Sequence, residues 1–107
     1  MSDSIAKFER IREALVSQHE NVSKGKMMSS EAITYKGKVF AFYGRDKMMC
    51  FKLGRDFKPE NHNIAEYRIL SPFKNKKPMV DWFLIDDHQQ WDTLANYALN
   101  KMREQLD

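Results

Sequence analysis

A chain of 107 residues, 42% apolar and 31% charged, is long enough to close one hydrophobic core and too short for two. Its formal net charge of +3 attracts polyanions only weakly, which falls short of a nucleic-acid signature. The lone Cys50 excludes an internal disulfide, the start Met1-Ser2-Asp3-Ser4 lacks the basic and apolar regions of a signal peptide, and no uncharged apolar run nears the ~20 residues of a bilayer crossing. The expectation is one soluble, cytoplasmic domain over residues 1–107, with no membrane partner.

Residues 4–20 are expected to form a helix. Ser4 can cap its start, and Ile5, Phe8, Ile11, Leu15 and Val16 recur on one broad face, while Lys7, Arg10, Glu13 and Glu20 take the other. Lys24-Gly25-Lys26 reads as the break after it. Met27 to Tyr35 reads as a first strand whose polar middle suits an edge, or a bulge near Ser29-Ser30. Val39-Phe40-Ala41-Phe42-Tyr43 is apolar on both alternating faces, with Val39, Ala41 and Tyr43 on one and Phe40 and Phe42 on the other. Such a strand is predicted to be central and covered on each side. Lys36-Gly37-Lys38 and Gly44-Arg45-Asp46 bound it as hairpin turns.

Met48 to Leu53 makes a third strand, and the short connections make an antiparallel meander the simplest topology. Between Gly54 and Asn63, Pro59 and Glu60 permit one or two helical turns with the proline near their start. Tyr67 to Leu70 and Met79 to Ile85 read as the fourth and fifth strands, joined by the proline-bounded basic loop Phe73-Lys74-Asn75-Lys76-Lys77-Pro78. In the last segment Trp91, Leu94, Ala95, Ala98, Leu99, Met102 and Leu106 follow helical spacing, and Asp87 with Gln90 resembles a capping box. The predicted order is α-β-β-β-α-β-β-α. That is an α+β domain with a largely antiparallel sheet packed by its N- and C-terminal helices.

Several of these stretches, in order, are similar to a known family. Lys26-Met27-Met28, Tyr35-Lys36-Gly37-Lys38-Val39-Phe40-Ala41, Lys47-Met48 and Lys52-Leu53 resemble the N-terminal domain of the TfoX/Sxy family. Lys77-Pro78-Met79-Val80-Asp81-Trp82 and Trp91-Asp92-Thr93-Leu94 are similar to its second half, with YjbR-like proteins as near neighbours. The resemblance runs from about Met27 to Met102; where the family often has a glycine after the paired methionines, this sequence has Ser29. It implies an α-β(3)-α-β(2)-α fold like that of secretion chaperones, and an association with transcription or competence regulation. It implies no catalytic residues.

The chemistry-bearing residues are scattered. His19, His62 and His88 are isolated, and Asp86-Asp87-His88 are consecutive donors that diverge rather than converge on a metal, so Asp87 reads as a cap. Cys50, in mid-strand between Met49 and Phe51, reads as a buried, inert thiol. No catalytic, metal or cofactor site is expected. Two contact regions stand out instead. Arg68, Lys74, Lys76 and Lys77 form a basic region suited to an anion or nucleic acid. Met27, Met28, Met48 and Met49 either fill the core or form an apolar contact surface. The expected function is a non-catalytic regulatory or adaptor domain acting by protein contact. The alternatives are a weak nucleic-acid binder using residues 68–77, and a homodimeric chaperone-like module using the methionine strands.

Overall fold

Apolar residues at helical spacing build the first element. The computed structural model describes residues 4–27, 30–44, 48–54, 56–62, 64, 67–70 and 79–106. Helix α1 spans Ser4–Gln18 and buries Phe8, Ile11 and Leu15, each large apolar side chain contributing roughly 1.5–3 kcal/mol. The Ser4 hydroxyl lies 2.5 Å from the Tyr43 hydroxyl, tying the helix start to the middle of the sheet. The helix ends two residues before the expected point, where Val22 N–H donates to His19 O at 3.2 Å and turns the chain into a strand.

That strand is the main departure from expectation. Strand β1 covers Val22–Met27 and β2 covers Ser30–Tyr35, so the strand expected over Met27 to Tyr35 is β2, preceded by an unexpected strand that ends at Met27 and holds Lys24-Gly25-Lys26. The cause is visible at Gly25. A Cβ there would sit 2.6 Å from Thr34 Cγ2, and Thr34 is held in place by Ser23, Oγ to Oγ1 at 2.8 Å. The glycine makes room for a neighbour. It does not end an element.

Strand β3 spans Lys38–Tyr43, β4 Met49–Lys52, β5 Arg68–Leu70 and β6 Met79–Ile85, with a 3-10 turn over Pro59–His62 where a short helix was expected. The β2–β3 turn has Lys36 at φ 50° and Gly37 at φ 83°, the paired left-handed conformation of a two-residue hairpin. The sheet runs β1-β2-β3-β4-β6-β5, and every described pairing is antiparallel. Strands β2, β3 and β4 form the expected meander, with β1 added at its edge; β6 then inserts beside β4 and leaves β5 at the far edge. Helix α2, Trp91–Leu106, follows a 3-10 turn over His88–Gln90. Asp87 caps that turn, its carboxylate accepting from Gln89 N–H at 3.1 Å.

Strand β3 is central, as expected, but its faces are not the expected ones. Thr34 pairs with Val39 while Ile33 pairs with Ala41, so Phe40 is the extra residue of a bulge. Phe40, Ala41 and Tyr43 therefore share the main core with both helices, and Val39 and Phe42 turn to the opposite face. The buried apolar residues of α1 and α2 join that main core, with Ile33, Tyr35, Met49, Phe51, Phe83 and Ile85 from the sheet. Both helices thus cover the same face. On the other face a second, smaller cluster forms around Ala32, Phe42, Cys50 and Trp82, with Phe42 and Trp82 rings 5.5 Å apart, and no described helix packs there.

Candidate functional site

Each residue singled out by sequence has a definite place. Met49 pairs with Tyr43 and Ile85 on the helix-covered face and is fully buried; Met48, just before β4, is buried as well. Neither can line a contact surface, because the chain's own core already covers them; they fill it, as flexible thioethers do. Met27 is half-buried against the smaller cluster, and Met28 lies outside the described residues. Arg68 is exposed and pairs with Leu84. Because Leu84 packs on the smaller cluster, Arg68 stands on the face opposite the two helices. Lys74, Lys76 and Lys77 lie outside the described residues.

Cys50 is buried between Phe42 and Leu84 on neighbouring strands. Burial pushes its thiol far above the ordinary range, which favours the neutral, unreactive form. The folded chain therefore keeps a proton that the unfolded chain releases above about pH 8.5. The resulting stabilisation is complete below that pH and declines above it, by up to about 1.4 kcal/mol per pH unit. In urea titrations between about pH 8.5 and 10.5, Cys50→Ala is expected to show a shallower loss of stability with pH than the parent. An unchanged slope would contradict a buried, protonated thiol.

Among the described residues no three His, Cys, Asp or Glu side chains gather as metal ligands. The His88 ring lies 4.3 Å from that of Trp91, so it packs on the start of α2. Two features escaped the sequence reading. Arg12 is buried, its guanidinium 5.1 Å above the Phe8 ring and its Nη1 3.5 Å from Glu31 Oε2, while its Nε has no partner. Its signal was available: Arg12 follows Phe8 by four residues and precedes Leu15 by three, which places it on the buried stripe.

The second feature is a cleft of about 220 Å³ between the end of β4 and the last turns of α2. Leu53 and Met102 form apolar parts of its lining, and Asp81, Lys101 and Gln105 supply polar ones. Its wall is fixed by the Asp81 carbonyl, which accepts from Leu53 N–H at 2.9 Å and Gly54 N–H at 3.1 Å. Residues from separate segments meet there, and no local motif marks them.

What the arrangement offers chemically is surface. The sheet has two outer strands, β1 and β5, while the cluster of Ala32, Phe42, Cys50 and Trp82 on the face opposite the helices is itself buried. No described helix is long and apolar enough to cross a membrane. Comparison of the chain with family models, with curated proteins and with solved structures finds no match in any of the three.

Proposed function

We propose that this chain is a non-catalytic adaptor domain that works by protein contact, of the kind represented by the TfoX/Sxy N-terminal domain, with a role in transcription or competence regulation. The observation that carries the reading is the pair of outer strands. Both helices pack on one face of the sheet, and no described strand pairs with the outer sides of β1 and β5, so these edges remain for contact. The residues of the resemblance fall on elements that organise this layout. Tyr35-Lys36-Gly37-Lys38 makes the β2–β3 hairpin, and Trp91 opens α2.

The test is cross-linking in the native cell followed by mass spectrometry, using the chain's surface lysines as anchors. The expected result is a recurrent set of cross-links to one protein. A reproducible turnover by the purified protein, abolished by one polar substitution, would overturn the reading.

The exposed placement of Arg68 on the face opposite the two helices favours a second reading. In it, Arg68 acts with Lys74, Lys76 and Lys77 as a weak nucleic-acid contact. Such binding must weaken as salt rises. Titration of duplex and single-stranded DNA against salt tests it, and affinity indifferent both to salt and to Lys→Ala changes would end it.

A further inference from the structure

We propose that the outer edge of β1 is a docking site for an extended, acidic polypeptide segment, which adds to the sheet as a seventh strand. The proposal rests on the protein-contact reading above and names where the contact forms and what kind of partner fits it. Strand β1 ends the sheet, and no described strand pairs with its outer side.

The register with β2 decides which backbone groups of β1 are free. Lys36 N–H donates to Asn21 O at 2.9 Å, which makes Asn21 and Lys36 a hydrogen-bonded pair, and pair types alternate from there. Ser23, Gly25 and Met27 therefore turn their N–H and C=O toward β2, opposite Thr34, Ala32 and Ser30. Val22, Lys24 and Lys26 turn theirs outward. Val22 N–H is taken by His19 O at 3.2 Å. Lys24 and Lys26, with the Val22 C=O, hold the remaining outward groups of this strand, and both lysines are exposed.

Lysines on an edge deter pairing with a second copy of the same strand. Antiparallel pairing of β1 with β1 would set the two lysines of one copy against those of the other, and like charges across strands repel. The same pair attracts a strand with Glu or Asp at alternate positions. Lys24 and Lys26 are two apart and share a face, so carboxylates two apart on an added strand meet both. Lys24 already lies 3.4 Å from Glu13, but both side chains of that pair are more than half exposed, and an exposed pair of this kind exchanges readily. Gly25, between the lysines, presents no side chain to obstruct the incoming strand. A polypeptide fits this edge better than a nucleic acid, since only a peptide backbone repeats the donor and acceptor spacing of a strand.

The experiment titrates the isotopically labelled full chain with an acetylated, amidated hexapeptide alternating Thr and Glu, and with its Thr-Lys counterpart. Binding of the Glu peptide is expected to shift and protect the Lys24 and Lys26 amides. The Lys peptide is expected to bind at least tenfold more weakly. In the exposed double variant K24E/K26E the preference is expected to invert, and K24Q/K26Q should bind neither peptide strongly. Equal binding of the two peptides, shifts confined to other surfaces, or no binding would overturn the edge assignment. So would amide protection at Lys24 and Lys26 in the free chain that vanishes on dilution, because a second copy would then occupy the edge. Failure here, with cross-links to a partner elsewhere on the surface, leaves the protein-contact reading standing. That reading falls only on its own test.

Discussion

Replacing Trp91 with alanine is expected to destabilise the chain by about 3–5 kcal/mol, a large part of the ~5–15 kcal/mol typical of a domain. Trp91 is fully buried at the start of α2. Its indole N–H donates to the Ile85 carbonyl at 2.9 Å, and its ring meets Tyr43 edge-on, with centroids 6.5 Å apart. Tyr43 in turn contacts Phe8 at 5.7 Å and the Ser4 hydroxyl. One side chain thus links the last helix, the central strand and, through Tyr43, the first helix. Trp91→Phe keeps most of the volume but leaves a buried carbonyl without its donor, which costs about 1–3 kcal/mol. Urea denaturation followed by circular dichroism checks the order: parent, then Phe, then Ala. An alanine variant within 1 kcal/mol of the parent, as at an ordinary surface position, would contradict this placement.

Phe40→Ala carries the second large effect, again about 3–5 kcal/mol, while the adjacent Val39→Ala is expected to cost about 1 kcal/mol or less. The contrast follows from the bulge. Phe40 is the extra residue opposite β2 and is fully buried under the helices, whereas Val39 is only partly buried on the other face. Ala41 shares the helix-covered face, so Ala41→Leu should overpack the main core at about 1–3 kcal/mol. The same denaturation assay reads all three. Comparable losses from Val39→Ala and Phe40→Ala would argue that the bulge is misplaced.

Much of the fold is readable from residue order alone, for local reasons. The stripe from Trp91 to Met102 fixes α2 because burial and helical spacing coincide at every turn. Lys36-Gly37 announces its hairpin because the backbone there needs two positive φ angles. Strand β1 was hidden because an edge strand buries little: Val22 enters the core while Ser23, Lys24 and Lys26 stay exposed. Its glycine answers to Thr34 on the next strand, a demand no local pattern records. The reversal at Phe40 was invisible for the same reason, since a bulge is set by the partner's register and leaves the alternation of the sequence intact. The contact residues divide similarly. Arg68 is on the surface, Met48 and Met49 are in the core, and an apolar side chain at a strand position does not by itself say which.

Amide hydrogen exchange along β1 bears most directly on the claim that the sheet has an edge left for a partner. The paired residues Ser23 and Gly25 are expected to exchange slowly, and the outward-facing Lys24 and Lys26 fast, alternating from Ser23 to Lys26. Protection of Lys24 and Lys26 equal to that of Gly25, unchanged on dilution, would show that the edge is already filled within the chain itself and would contradict the account.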